Sequence, residues 1–95
     1  MTLVTQYKEG KEIKENTVEI YATRKSLNRN EFYAGYGVGL KPKYIFDILP
    51  EEYHLADVDT DGKHYEATHV RYNNVDYPII RTYEKNNSSM ELTVG

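Results

Sequence analysis

The sequence predicts a mainly β protein: a small antiparallel barrel or sandwich of about six strands, with a long glycine-rich loop and at most one short helical turn. Three observations carry this. Short segments alternate apolar and polar residues, which is the period-2 signature of half-buried strands, whereas helical periodicity is nearly absent. The 95 residues include ten tyrosines and two phenylalanines, residues that favour a pleated surface. Turn-forming residues also punctuate these segments at regular intervals.

The elements follow in order. Thr2–Tyr7 reads as a first strand, and the charged Lys8–Asn16 stretch with Gly10 reads as an exposed turn. Thr17–Leu27 is the clearest strand, with Val18, Ile20 and Ala22 on one face and Glu19, Tyr21, Thr23 and Lys25 on the other. Asn28–Pro42 breaks the β pattern. Asn28 and Glu31 form a loose capping box for a single helical turn at Phe32–Ala34, and Gly35, Gly37 and Gly39 stop it from continuing. Tyr44–Leu49 is a strand ended by Pro50. Pro50–Ala67 is acidic and reads as a long loop or partly extended arm. Thr68–Tyr72 and Asp76–Glu84 flank Asn73-Asn74, a pair suited to the left-handed backbone of a hairpin turn. Met90–Val94 alternates once more and supplies the sixth strand.

Composition bounds the function. A chain of this length is one domain, residues 1–95, with a modest core. Mean hydropathy is −0.75, but the aromatic content is too high for a disordered chain. The absence of cysteine excludes a disulfide scaffold, a thiolate nucleophile and cysteine-ligated zinc. With no long apolar run and no apolar core in Met1–Gly10, a soluble protein made in a cytoplasm is expected, with no membrane partner. A net charge of −3 and a pI near 5.6 weigh against a free-standing nucleic-acid binder.

Charge is unevenly spread. Residues 24–43 carry Arg24, Lys25, Arg29, Lys41 and Lys43 against Glu31, a balance of +4. Residues 47–66 carry seven carboxylates against Lys63, a balance of −6. Such segments pair with each other, pair with a neighbouring copy, or stand as two solvated loops.

Candidate chemistry is sparse. Asp57-Val58-Asp59-Thr60-Asp61-Gly62 matches the first half of a calcium loop, but Thr68 occupies the twelfth position, where a bidentate glutamate is needed. The plainer reading is an acidic loop with an Asp-Gly turn, so no metal is expected. His54, His64 and His69 lack the spacing of a metal-binding helix and read as surface histidines, although His64 lies near Asp61. Ser26, Ser88 and Ser89 lack any nucleophile context. Gly35-Tyr36-Gly37-Val38-Gly39 has no following Lys-Ser/Thr to cradle a phosphate and reads as a tightly turning backbone. Most of the tyrosines, with Tyr77 and Tyr83 alternating inside strands, read as barrel filling with wet hydroxyls. Composition and spacing reach a small soluble β domain with one long glycine-rich loop and point to no cofactor.

One succession of blocks says more. Leu27-Asn28-Arg29-Asn30-Glu31-Phe32-Tyr33-Ala34 comes first, then Gly39-Leu40-Lys41-Pro42 before a strand. Tyr72 to Tyr83, including Tyr77-Pro78-Ile79-Ile80-Arg81-Thr82-Tyr83, follows, and then Met90-Glu91-Leu92. In order and spacing this resembles the head-closure proteins (head–tail adaptors or stoppers) of long-tailed bacteriophages and prophages, over nearly the whole chain. It departs from them in Asn74, where the hairpin turn usually shows glycine, and in a longer acidic 55–69 segment.

The resemblance implies a structural virion protein and no enzyme, made in the host cytoplasm and placed at the head–tail interface. It implies a β-barrel that assembles with itself into a cyclic ring beneath the portal–adaptor complex. That ring closes the DNA channel after packaging, lies near the packaged DNA end without reading its sequence, and gives the tail completion or terminator protein a docking surface. It also implies a channel-closure and inter-subunit loop holding Arg29, Glu31, Phe32, Tyr33, Tyr36, Gly39, Leu40, Lys41 and Pro42. Two rival classes stand beside it. One is a small β-barrel binding module for an oligonucleotide or carbohydrate that uses exposed tyrosines. The other is a calcium-responsive β domain that uses Asp57, Asp59 and Asp61.

Overall fold

Alternation at the N-terminus makes strand β1 (Thr2–Glu9), which a two-residue turn at Gly10-Lys11 joins to β2 (Glu12–Glu19). Gly10 sits at φ 63°, a conformation that costs glycine little. The charged stretch expected to be a turn is therefore the end of one strand and most of another. Its charges suit an edge strand: among the described residues β2 pairs with β1 alone, and Lys and Glu on an edge discourage further pairing.

Val18, Ile20 and Ala22 face inward as the alternation predicts. The strand expected through Leu27, however, stops at Glu19. The Ile20 N–H donates to the Met1 carbonyl at 2.9 Å, and the chain then crosses to β3 (Thr23–Lys25), which pairs with β4 (Tyr44–Ile48) instead. The strand changes partner, and alternation carries no record of that.

The computed structural model describes residues 1–26, 42–86 and 88–95, so the helical turn expected at Phe32–Ala34 lies outside the described residues. Pro50 ends β4 as expected, but it also opens a short helix, α1 (Pro50–His54), near whose start the missing proline N–H costs nothing. The long loop expected over 50–67 is thus a helix followed by a hairpin, β5 (Val58–Thr60) and β6 (Lys63–Tyr65). Three-residue strands are too short to show a period.

The remaining strands are β7 (His69–Tyr72), β8 (Val75–Asn86) and β9 (Ser89–Val94). Asn73 and Asn74 stand at φ 52° and 63°, the two left-handed residues of the expected hairpin turn. Asn74→Gly should therefore raise the melting temperature by about 2–6 °C, since glycine relieves about 0.5–1 kcal/mol of left-handed strain in a domain of this size. Thermal unfolding followed by circular dichroism reads the shift.

Among the described residues nine strands stand where about six were expected, because one predicted segment divides and another hides a hairpin. Seven form one antiparallel sheet in the order β2-β1-β7-β8-β9-β4-β3, while β5 and β6 pair separately. β2 and β3, three residues apart in the chain, occupy its opposite edges. In a flat sheet those edges would be about 29 Å apart at the usual strand spacing, beyond the reach of so short a link. The sheet is therefore rolled.

β8 carries the bend. Its first half pairs with β7 and its second with β9, with register shifts between Ile79 and Arg81 and between Glu84 and Asn86. Among the described residues no ladder joins β2 to β3, so the roll keeps two edges.

Inside it Leu3, Ile20, Phe46, Ile48, Val70, Met90, Leu92 and Val94 form one apolar cluster. Tyr53 of α1 and Ala56 just beyond it join that cluster at the end where β4 finishes.

Candidate functional site

β4 runs from Tyr44 toward α1, which gives the rolled sheet two chemically different ends. At the Tyr44 end, β3 and β4 pair side by side, Lys25 opposite Ile45, so the chain leaves the sheet after Ser26 and returns at Pro42. Pro42 is buried, and the Lys43 N–H donates to the Val94 carbonyl at 2.7 Å, tying this return to β9.

Aromatic rings gather here. Tyr44 meets Tyr72 and Tyr77 edge-on, with centroids 5.2 and 5.3 Å apart, and Phe46 meets Tyr72 at 5.2 Å. Cations cover their faces: the Arg24 guanidinium lies 5.6 Å from the Tyr44 centroid and the Lys43 ammonium 5.7 Å from that of Tyr77. Burial raises the Tyr77 hydroxyl above its ordinary pKa, and a hydrogen bond with Tyr44 adds to the shift.

Beside the rings is an open cleft of about 390 Å³, lined among the described residues by Arg24, Lys25, Ser26, Lys43 and Tyr44. Arg24 and Lys43 give that lining a positive character that suits attraction of an acidic partner rather than proton transfer, while Lys25 is drawn to carboxylates of the outer face.

Pro42 is thus the one predicted loop residue that the structure locates. Arg29, Glu31, Phe32, Tyr33, Tyr36, Gly39, Leu40 and Lys41 lie outside the described residues. Of Tyr77 and Tyr83, both expected as interior filling, Tyr83 does not fill it. Tyr83 and Tyr21 are exposed, Tyr83 with the Arg81 guanidinium 6.0 Å from its ring centre.

On the outer face the opposite charges of the sequence meet within one chain. Lys25 of β3 lies 3.7 Å from Asp47 of β4 and 3.3 Å from Glu91 of β9, and Lys85 of β8 lies 3.3 and 3.0 Å from the same two carboxylates. Asp47 and Glu91 are direct cross-strand partners, a pairing of like charges that the flanking lysines neutralise. Partial burial pushes the Glu91 pKa up, but hydrogen bonds from Lys85 and Lys25 outweigh it and hold the carboxyl below its usual range.

At the α1 end two carboxylates share one histidine and a third turns elsewhere. Asp57 Oδ2 lies 3.0 Å from His54 Nδ1 and 3.4 Å from His64 Nε2. Asp59 Oδ1 lies 2.7 Å from His64 Nδ1, and Asp61 Oδ2 accepts from the Gly10 N–H at 3.2 Å. Asp61 of the half calcium loop is thus engaged apart from Asp57 and Asp59, and Asp61-Gly62 forms a hairpin turn with both residues at positive φ. Among the described residues no group of three His, Asp or Glu side chains is placed to hold a metal ion.

His54 and His64 are about half exposed, as surface histidines should be, yet His64 pairs with Asp59 and Asp57 rather than with Asp61. The signal was available: a two-residue Asp-Gly turn makes Asp59 and His64 cross-strand neighbours.

Nearby, the Tyr53 hydroxyl faces Glu66 at 3.5 Å. Burial, with Glu66 and Asp57, pushes its pKa up to about 12. The Ala56 carbonyl accepts from the Thr5 hydroxyl at 2.7 Å and the Asn16 amide at 3.2 Å, pinning the end of the α1 segment to β1 and β2.

No family model, curated protein or solved structure matches this chain.

Proposed function

We propose that this chain is a structural virion protein that forms a ring beneath the portal–adaptor complex of a long-tailed phage or prophage. In that position it closes the DNA channel after packaging and offers the tail a docking surface. The ordered sequence blocks from Leu27 to Leu92 motivate this reading. The observation that carries it is the placement of the two stems of the 27–41 segment. They leave the sheet next to each other, beside a cationic cleft, at the end of the rolled sheet away from α1 and its carboxylates.

In this reading the rolled sheet is the family's small barrel. The end that carries Arg24 and Lys43 meets acidic residues of the 47–66 stretch on the next copy. That is a heterologous contact, the kind that generates a closed ring. Lys25 and Asp47 are already paired within the chain, so the carboxylates left for a neighbour are those around α1 and the β5–β6 hairpin. Rim charges contribute modestly, and the anchors are apolar: Phe32, Tyr33 and Leu40.

The test is to mix the protein with portal–adaptor complexes and image them by negative stain. A ring of added density below the adaptor is the expected result, and unchanged complexes overturn the proposal. Phe32→Ala should abolish head closure, giving filled heads that leak DNA or take no tails, while the isolated protein keeps its circular dichroism spectrum and melting temperature. Unfolding of the isolated variant would instead place Phe32 in the core and remove the loop's assigned role.

A further inference from the structure

We propose that His64 is a protonation-dependent latch: as an imidazolium it fastens the β5–β6 hairpin to the segment after α1, and on losing a proton it lets the hairpin go.

Both ring nitrogens of His64 face carboxylate oxygens: Nδ1 is hydrogen-bonded to Asp59 at 2.7 Å, and Nε2 lies within ion-pair distance of Asp57 at 3.4 Å. A neutral imidazole carries one N–H, so in either tautomer its other nitrogen turns a lone pair toward an anion. Only the doubly protonated ring turns an N–H and a positive charge toward both carboxylates. Asp57, the less exposed of the two, gains most from that charge. Its side chain is only 17% exposed, and its Oδ1 is buried without a hydrogen-bond partner. Among the described residues the cationic groups within ion-pair reach of Asp57 are the two histidines, His54 and His64.

The remaining surroundings favour the same charge state. Asp59 stands on β5, and Glu66 lies just beyond β6. From α1 come His54 and the Tyr53 hydroxyl, which faces Glu66. From the β1 side the hairpin meets uncharged groups, the Tyr7 ring 6.1 Å from that of Tyr65 and the Gly10 amide bound to Asp61. The Asp59 hydrogen bond, aided by the charges of Asp59, Asp57 and Glu66, holds the His64 pKa above its usual 6.5 against the opposing effect of desolvation. A raised histidine pKa means that the latch contributes fully below about pH 6.5 and is lost as pH rises through the folded-state value.

The hairpin is the part of the fold most able to respond. Two strands of three residues each do not stand alone, and among the described residues no ladder ties them to the seven-stranded sheet. They are held by the Tyr7–Tyr65 contact, the Gly10–Asp61 bond and the His64 clasp.

The experiment uses the full chain. NMR follows the His64 ring and the amide exchange of residues 58–65 between pH 5.5 and 8, corrected for intrinsic exchange. His64 should titrate above 6.5, and hairpin protection should fall about threefold across that titration while β4 and β9 stay constant, an effect sized for exposed ion pairs. His64→Gln should remove the pH dependence of the hairpin without changing the melting temperature at pH 8. Asp59→Asn should move the ring's titration down toward 6.5. The proposal is overturned if His64 titrates at or below 6.5, if hairpin protection does not change with pH, or if its pH dependence survives in His64→Gln.

Discussion

Phe46→Ala is expected to leave the protein with little of its stability at 37 °C. Phe46 is 2% exposed on β4, paired between Arg24 on β3 and Leu92 on β9, with Tyr72 edge-on at 5.2 Å and Tyr44 at 6.0 Å. Truncating a buried phenylalanine costs about 3–5 kcal/mol through lost transfer energy and the cavity left behind. A domain of this length has about 5–14 kcal/mol in all. Relaxation offers little relief, because the facing side chains come from strands fixed in register by their ladders. Urea unfolding followed by circular dichroism should show the midpoint falling steeply, with the slope unchanged. Phe46→Leu, which keeps most of the volume, should cost under about 1.5 kcal/mol. A loss below that figure for the alanine variant would mean that the core is not centred on Phe46.

Val70→Asp should be harsher still, with no folded population at pH 7. Val70 is fully buried on β7, an interior strand, with Leu3 on one side and Tyr77 on the other. A carboxylate there would be desolvated among apolar side chains, and an unpaired buried charge costs several kcal/mol or forces protonation. The substituted carboxyl would therefore have a folded-state pKa raised above about 3.9, its unfolded value. Its penalty grows as pH climbs above that value and shrinks below it. Measured against the wild type at each pH, the variant should recover part of its structure at pH 4. Val70→Thr, which buries a hydroxyl of nearly the same shape, should cost about 1–3 kcal/mol. A variant as stable at pH 7 as at pH 4, relative to wild type, would show that water reaches this face.

Where the sequence was legible, it was so through local rules. The β4 and β9 strands and the Asn73-Asn74 hairpin turn follow from alternation and turn chemistry, and the inward face of Val18, Ile20 and Ala22 follows from period 2. What it hid was set by distant partners. β2 hid behind its charges, which mark an edge only once β1 has another neighbour. β3 hid because Ile20–Ala22 passes the chain from one edge of the sheet to the other without breaking the alternation. β5 and β6 are too short to carry a pattern. Pro50 signalled the end of a strand, and its role at the start of α1 is equally local but ambiguous. The charge contrast between residues 24–43 and 47–66 was plain. Part of it is internal, since Lys25 and Asp47 lie on paired strands and neutralise each other. Of the candidate closure loop, the structure describes only Pro42 at its return.

The strand order also dictates when the fold can exist during synthesis. The β1–β2 hairpin is made first, but the next partner of β1 is β7, more than fifty residues downstream. Until β7 emerges, Leu3 and Val18 have no strand beside β1 to help cover them, and β4 has only the three residues of β3 alongside. β9 then joins β8 to β4 and unites the two halves of the sheet. Folding must therefore wait for nearly the whole chain, and such non-local pairing proceeds in about milliseconds to seconds. A nascent chain halted before β9 would present apolar strand faces and two unpaired edges, a substrate for chaperones rather than a partly working domain.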